Sequence, residues 1–240
     1  MKKVAKGFAL AVSMLTIVPF FRVHDFFRGI NGYAVAFYPL VGFLLGLFLW
    51  GVGVVGSGYL PQMHLGILLF ALLVLLTGAL HLDGFCDTID GLYVPRDRAL
   101  SVMKDPHNGG MSMLFGATFL IAKASSVASL QSYELLPLVL MVSRFNAVIA
   151  IFIFPYISNK GMGSLAKEEF TQGEFIFVAL YVTLTAIFFS PQMLLIALLI
   201  LFVVQSLFIK RYNGFTGDIY GFLIEVSELV LLNIILLGVA

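Results

Sequence analysis

Seven long apolar runs, separated by short polar segments, dominate the residue pattern of this chain. They cover roughly residues 33–58, 63–82, 111–131, 135–156, 174–189, 192–209 and 218–239. A helix needs about 20 mostly apolar residues to cross roughly 30 Å of hydrocarbon, and each run approaches or exceeds that length. None alternates apolar and polar positions as a strand of a membrane barrel does. The pattern therefore predicts an all-α, polytopic transmembrane helix bundle with about seven spans.

An eighth apolar stretch, residues 4–21, follows two lysines and has the composition of a signal peptide. It lacks a small-x-small cleavage pattern, and Pro19-Phe20-Phe21-Arg22 follows instead, so we expect a retained helix. The lysines before it and the arginines after it are expected on the same side of the membrane. We therefore predict an N-terminal helix that lies in the interface or is re-entrant.

The placement of the cations orients the predicted bundle. Twelve of the 14 Lys and Arg residues lie in the N-terminus or in alternate loops: Lys2, Lys3, Lys6, Arg22, Arg28, Arg96, Arg98, Lys104, Lys160, Lys167, Lys210 and Arg211. The intervening connections, near residues 58–62, 131–134 and 190–192, contain no Lys or Arg. Under the positive-inside rule this predicts a multi-pass protein of the cell (inner) membrane, with the basic loops in the cytoplasm and the C-terminus outside.

Composition excludes several functional classes. Hydrophobic residues make up 60% of the chain and charged residues 11%, with a mean hydropathy of +1.03, whereas soluble domains carry about 25% charged residues. A soluble domain, a disordered tail and a nucleic-acid binder are therefore excluded, and the lipid bilayer is the expected partner. The longest polar segment, residues 83–110, is too short for a separate core, so we predict a single integral-membrane catalytic domain, 1–240.

Five of the 13 acids define two short segments. In the first, Asp83, Asp87 and Asp90 are spaced i, i+4, i+7, so a helix places all three on one stripe. In the second, Asp218 and Glu225 are seven residues apart and share a face, while Glu228 lies off to one side. Both segments are predicted at the cytoplasmic face. Small residues would let the two helices approach closely, namely Gly84, Gly91, Gly217 and Gly221.

Carboxylates gathered at a membrane surface indicate a cation. Like charges on one helical stripe repel, and an Asp inside a membrane costs about 2.5–3.5 kcal/mol on insertion scales. A divalent cation removes both penalties, and hard oxygen ligands suit Mg²⁺ or Mn²⁺, with phosphate oxygens completing the shell. The alternative is a solvated cap of acids at a helix end, which the second acidic segment makes less favourable.

Two cations lie deep in the predicted membrane. Lys123 and Arg144 are about 12 residues, roughly 18 Å, from the cytoplasmic ends of their helices. Each needs a partner, and two roles stay open: pairing with Asp or Glu to lock the bundle, or binding substrate. His81 is equally a structural hydrogen bonder or a ligand. The loop from Met103 to Gly110, which includes Lys104 and Asp105, adds polar groups beside the acids.

These residues resemble a known family. The segment Thr77–Gly91, with its HLDGxxDTxDG pattern, resembles the central signature of the adenosylcobinamide-GDP ribazoletransferase, or cobalamin 5′-phosphate synthase, family. Further similarities follow in the family's order and extend over essentially the whole chain: Phe37–Gly46, Met103-Lys104-Asp105 with Gly109, Lys123, Ser143-Arg144, Gly161–Gly163, and Thr216–Gly221 with Glu225 and Glu228.

The resemblance implies a reaction and a cofactor. Members join adenosylcobinamide-GDP to α-ribazole, or to its 5′-phosphate, and release GMP, which is the last step of cobalamin nucleotide-loop assembly. The family is Mg²⁺-dependent and lies in the cell membrane. The resemblance leaves open whether the chain forms a homo-oligomer.

Residues and resemblance together predict a phosphotransferase site. We expect Asp83, Asp87, Asp90 and Asp218 to be catalytic and to bind the metal, with Glu225 as a further ligand or supporting partner. Substrate contacts are expected from Lys104, Lys123, Arg144, His81 and Asp105. Two alternatives remain: an enzyme like the CDP-alcohol phosphatidyltransferases, and a proton- or cation-coupled membrane transporter.

Overall fold

The structure, a computed structural model, describes residues 2–18, 27–105, 107, 109–158 and 161–239. Those residues form helices and no β-strand, which confirms the predicted all-α architecture. The helices are α1 (Lys2–Leu15), α2 (Ile30–Gly56), α3 (Gln62–Thr77), α4 (Leu80–Leu92), α5 (Arg96–Val102), α6 (Gly110–Ala128), α7 (Leu136–Ile153), α8 (Met162–Glu169), α9 (Gln172–Phe189), α10 (Pro191–Tyr212) and α11 (Gly217–Leu236).

The predicted spans correspond to helices that are long and apolar enough to cross a membrane. Six of them, α2, α6, α7, α9, α10 and α11, meet that test individually. A seventh crossing is obtained when α3 is counted together with α4, from which it is bent by 84°. The predicted polytopic bundle with about seven spans is therefore confirmed.

The predicted span over residues 63–82 ends earlier than the apolar pattern suggests. Gly78 and Ala79 both have positive φ angles, 59° and 56°. Their N–H groups donate to Leu75 O and Val74 O, which closes the end of α3. The left-handed conformation at two successive residues turns the chain by 84°. As a result the 13 residues of α4 form a separate helix that is bent away from α3.

The bundle is organised around α7, almost all of whose residues are buried. It packs against α2, α9, α10 and α11. The contact with α2 is close because a Cβ at Gly42 would lie 2.3 Å from Leu140 O, and one at Gly46 would lie 2.4 Å from Pro137 Cα. Small residues of this kind let membrane helices pack backbone to backbone.

The N-terminal helix is too short to cross a membrane. The 14 residues of α1 extend about 21 Å at 1.5 Å per residue. It packs against α2 through Leu10, Ala11 and Leu15, and Ile17 N–H donates to Leu76 O at the end of α3. The last residues of the predicted N-terminal helix, 19–21, lie outside the described residues, as do Arg22 and Lys160 of the predicted basic set.

Candidate active site

The two acidic segments meet in the structure. Asp83, Asp87 and Asp90 lie on α4, as the spacing predicts, and Asp218 lies in the first turn of α11. A Cβ at Gly84 would lie 2.9 Å from Asp218 O, and one at Gly221 would lie 3.1 Å from His81 O. The predicted close approach of the two helices is therefore confirmed at Gly84 and Gly221.

The other two predicted contact glycines do not join this interface. A Cβ at Gly91 would meet the side chain of Met103, and one at Gly217 would meet nothing within 4 Å. The expectation that Gly91 and Gly217 let α4 and α11 approach each other is wrong. Gly91 lies near the end of α4 and packs against the loop that follows α5, and Gly217 begins α11 in open space.

The start of α11 is held in place by the end of α7. Ile157 N–H donates to Phe215 O, and Phe215 N–H donates to Pro155 O, both at 2.9 Å. The Thr216 hydroxyl then caps α11 by accepting from Ile219 N–H. These contacts fix the first turn of α11 and so the position of Asp218 beside α4.

Asp90 differs from the other acids because both of its carboxylate oxygens are engaged. Its Oδ2 accepts from Gly109 N–H at 2.6 Å, and its Oδ1 accepts from Ser112 N–H at 3.0 Å. Gly109 precedes α6 and Ser112 lies in its first turn, so Asp90 caps the N-terminus of α6 from a different helix. Asp90 is buried. Its expected role as a metal ligand therefore competes with a structural one.

Asp83, Asp87 and Asp218, which we call the carboxylate cluster, lack a basic ion-pair partner among the described residues. Asp87 is half-buried, and the charges of Asp83, Asp218 and Asp90 act on it. Lys104, which is exposed, is the cation that acts electrostatically on Asp218. The cluster is thus a concentration of negative charge that the protein itself does not neutralise.

The carboxylate cluster does not form a complete metal site by itself. Within the described residues, no three His, Cys, Asp or Glu side chains converge closely enough to hold a metal ion by themselves. The three carboxylates are nevertheless hard oxygen donors within electrostatic reach of one another, and such a group fits a divalent cation when other oxygen donors complete the shell.

The two deep cations and the two remaining acids form a buried ion-pair network. Lys123 Nζ donates to Glu225 Oε2 and to Glu228 Oε2, both at 2.5 Å. Arg144 donates to Glu228 Oε1, to the Ser143 hydroxyl and to Leu140 O. The four charged side chains of this network are almost fully buried, and they connect α6, α7 and α11.

This network identifies the partners of the two deep cations. Of the two roles left open for Lys123 and Arg144, the structure shows the contacts of the first, pairing with acidic side chains inside the bundle. Their partners are Glu225 and Glu228. Glu225 Oε2 is ion-paired with Lys123, so this oxygen already has a partner within the bundle. Glu228 binds the same ammonium group. A helix brings residues three apart to neighbouring positions, which explains this arrangement.

The remaining predicted substrate contacts lie in two places. Lys104 and Asp105 are exposed in the loop after α5, where Asp105 Oδ1 accepts from His107 N–H at 3.0 Å and contacts His107 Nδ1 at 2.8 Å. These hydrogen bonds lower the pKa of Asp105. His81 is buried on α4. Pro106 and Asn108 of the same loop lie outside the described residues.

A cavity of about 470 Å³ adjoins the carboxylate cluster. Its walls come from α1, α2, α4, α7, α8 and α11, and Asp83 and Asp218 contribute to its lining. Most of the lining is apolar, and the polar exceptions include His81 and Tyr220. Sequence reasoning missed Tyr220, although it lies in the Thr216–Gly221 segment, because a tyrosine in an apolar helix does not reveal a cavity.

Known proteins resemble this chain over nearly its full length. The family model described as cobalamin-5-phosphate synthase matches residues 7–236. A protein of Desulforamulus reducens named adenosylcobinamide-GDP ribazoletransferase is 33% identical over 95% of this chain and 95% of the relative. A protein of the same name from Acinetobacter baumannii is 32% identical over 94% of each chain. No solved structure matches the chain. The extent of these matches confirms the resemblance, and the chain belongs to the cobalamin-5-phosphate synthase family.

Proposed function

We propose that this protein joins adenosylcobinamide-GDP to α-ribazole, or to its 5′-phosphate, and releases GMP. The family match over residues 7–236 and the names of the relatives carry this proposal. The carboxylate cluster supports it, because acids from two distant segments meet where a charged diphosphate would need to be neutralised. Such a site suits an enzyme more than a transporter, whose acids are expected near the bilayer midplane on broken helices.

The transfer requires positioning and neutralisation of charge. A ribose hydroxyl of the acceptor attacks the phosphorus attached to cobinamide, a new oxygen–phosphorus bond forms, and the bond to the GMP oxygen breaks. Negative charge spreads over the phosphate oxygens in such a transition state. A carboxylate oxygen of the cluster that does not bind the metal accepts the hydroxyl proton.

We propose Asp83, Asp87 and Asp218 as the side chains that hold Mg²⁺ or Mn²⁺, together with substrate phosphate oxygens. The bound ion would supply Lewis-acid neutralisation of the diphosphate. Asp90 supports this site by anchoring α6 and the end of the preceding loop. Lys104 is placed to contact a phosphate, since it is exposed and within electrostatic reach of Asp218.

We further propose that the carboxylate cluster faces the cytoplasm. Arg211 donates to Leu92 O and Val94 O, and so lies at the end of α4, beside the basic segment that begins at Arg96. The connection from α10 to α11 and the connection from α4 to α6 thus bring their cations to the same end of the bundle. The positive-inside rule favours the cytoplasm for such an end.

The test is release of GMP by the purified full-length chain in lipid vesicles. With adenosylcobinamide-GDP, α-ribazole and Mg²⁺ present, we expect GMP and the joined cobamide in equal amounts, and chelation with EDTA should abolish both. Returning Mg²⁺ should restore the activity. Absence of GMP release under these conditions, or ion flux across the vesicles without it, would contradict the proposal.

A further inference from the structure

The cavity beside the carboxylate cluster offers space for a part of the substrates other than the diphosphate. Asp83 and Asp218 line it, so the cavity is continuous with the place where we propose the transfer occurs. Its volume of about 470 Å³ falls within the roughly 300–1,000 Å³ typical of small-molecule sites. A corrinoid is too large for such a space. The cavity therefore suits a smaller part of the reacting molecules.

The lining is apolar except at a few positions. Apolar walls come from Ala147 and Ile151 on α7, from Met14 on α1 and from Ile224 on α11. His81 and Tyr220 supply polar groups, and both side chains are more than nine-tenths buried. A cavity with these walls fits a planar, largely apolar ring system that carries a single hydrogen-bonding nitrogen.

Tyr220 gives the strongest indication of a ligand. Its hydroxyl is buried and has no hydrogen-bond partner among the described residues. Its ring is held by Phe215, with ring centroids 5.6 Å apart, and by Tyr156, with centroids 6.2 Å apart. A buried hydroxyl without a partner is unfavourable, so a tyrosine fixed in this way is expected to hydrogen-bond to something that enters the cavity.

We infer that this cavity binds the aromatic base of the acceptor nucleoside, with the Tyr220 hydroxyl donating to a ring nitrogen. The inference rests on the proposed function, in which the acceptor is a ribose that carries a dimethylated benzimidazole. With the base in the cavity, the ribose lies toward Asp83 and Asp218, where its hydroxyl meets the phosphorus. The cavity thus selects the acceptor by its base and orients it for attack.

A lipid acyl chain is the competing occupant of an apolar cavity in a membrane protein. The hydrocarbon tail of an acyl chain offers no hydrogen-bond acceptor, so it would leave the Tyr220 hydroxyl unpaired in apolar surroundings. It would also lie against the carboxylates of Asp83 and Asp218. An aromatic heterocycle with a ring nitrogen pairs the hydroxyl and continues into a polar ribose, which fits both ends of the cavity.

The substitution Tyr220→Phe removes only the hydroxyl and tests the hydrogen bond. We expect the KM for α-ribazole to rise about three- to tenfold, the range of one lost hydrogen bond. The KM for adenosylcobinamide-GDP should not change. Tyr181→Phe is the matched control, because it removes a buried tyrosine hydroxyl that donates to Ala36 O outside the cavity. An unchanged KM for α-ribazole in Tyr220→Phe would overturn the inference.

The substitution Ala147→Leu tests the space rather than the hydrogen bond. Ala147 is buried on α7 and lines the cavity, so a larger side chain there takes up room that the base needs. We expect kcat/KM for α-ribazole to fall at least about tenfold relative to that for a riboside with a single-ring imidazole base. An equal fall in kcat/KM for both acceptors would show that the cavity does not bind the base.

A binding measurement separates this inference from the proposed activity. Free 5,6-dimethylbenzimidazole should bind the full-length protein in equilibrium dialysis, and Tyr220→Phe and Ala147→Leu should weaken that binding while Tyr181→Phe does not. If GMP is released normally but 5,6-dimethylbenzimidazole does not bind, the inference is wrong and the proposed function stands. The same holds if the cavity binds fatty acids and not the base. If no acceptor supports GMP release, the proposed function fails, whatever the base does.

Discussion

The acids of α4 lie on one stripe of the helix but differ in their hydrogen-bond partners and surroundings. Both carboxylate oxygens of Asp90 accept hydrogen bonds from backbone N–H groups at the start of α6. Asp87, one turn earlier, is half-buried and lies within electrostatic reach of Asp83, Asp218 and Asp90. Three acids with the spacing of one helical stripe therefore divide into a helix cap and part of the carboxylate cluster, according to what each side chain contacts across the helix interface.

Replacement of Asp87 by Asn should abolish GMP release and leave the protein folded. Asn keeps the shape of the side chain but removes the charge that we propose for metal binding and proton transfer. Because Asp87 is repelled by its neighbours, the variant should be at least as stable as the original chain. Asp97→Asn, at an exposed position on α5, is the control and should retain full activity. Near-normal GMP release by Asp87→Asn would contradict the assignment of the carboxylate cluster.

Helix α6 depends on α4 for its N-terminal cap. Gly109, at its N-cap, offers no side chain for capping, so Asp90 supplies the acceptor from the neighbouring helix. Gly109 is suited to this contact because a Cβ there would lie 2.6 Å from Asp90 Oδ1. The contact ties the loop containing Lys104 to the helix that carries the carboxylate cluster.

Asp90→Ala should destabilise the protein by about 1–2 kcal/mol, the cost of a lost helix cap, because two N–H groups lose their acceptor. The amides of Gly109 and Ser112 should exchange faster with deuterium, while those in the middle of α6 keep their protection. Asp97→Ala is the matched control. Unchanged exchange at Gly109 and Ser112 would show that Asp90 does not cap α6.

At the scale of the whole bundle, four buried charged side chains join three helices. The ion-pair network of Lys123, Arg144, Glu225 and Glu228 contains two positive and two negative charges and joins α6, α7 and α11. Buried ion pairs of this kind contribute little net stability, but removal of one partner leaves a buried charge uncompensated. The network therefore favours one arrangement of the helices.

Lys123→Met should destabilise the protein by about 3–5 kcal/mol, because it leaves Glu225 without its ammonium partner. The double variant Lys123→Met, Glu225→Gln restores charge balance and should recover much of that loss. The measurement is the free energy of unfolding in lipid bicelles for the original chain, both single variants and the double variant. Simple addition of the two single effects would contradict a coupled network.

The orientation of the bundle is testable with two cysteines placed at opposite ends in a Cys86→Ala background. Ser101→Cys, on α5 near the carboxylate cluster, should react with a membrane-impermeant maleimide only in permeabilised cells. Ser132→Cys, between α6 and α7 at the other end, should react in intact cells. The physical reason is the retention of basic loops in the cytoplasm. The reverse pattern would place the carboxylate cluster outside the cell.

The sequence by itself determined the class of fold, the approximate spans and the carboxylates that meet, including Asp83, Asp87 and Asp218. It could do so because apolar runs near 20 residues have few alternatives to a membrane helix, and because the spacing of acids on a helix follows from its geometry. Seven predicted crossings correspond to helices, and Gly84 and Gly221 mark the contact between α4 and α11.

Only the tertiary structure decided the break after α3, the partners of the buried cations and the cavity at Tyr220. The break depends on left-handed backbone at Ala79, which residue type does not reveal. The partners of Lys123 are more than 100 residues away, and Asp90 reaches a helix that begins 20 residues later. Such contacts depend on how helices pack against one another, and helix packing is a property of the assembled bundle rather than of any segment within it.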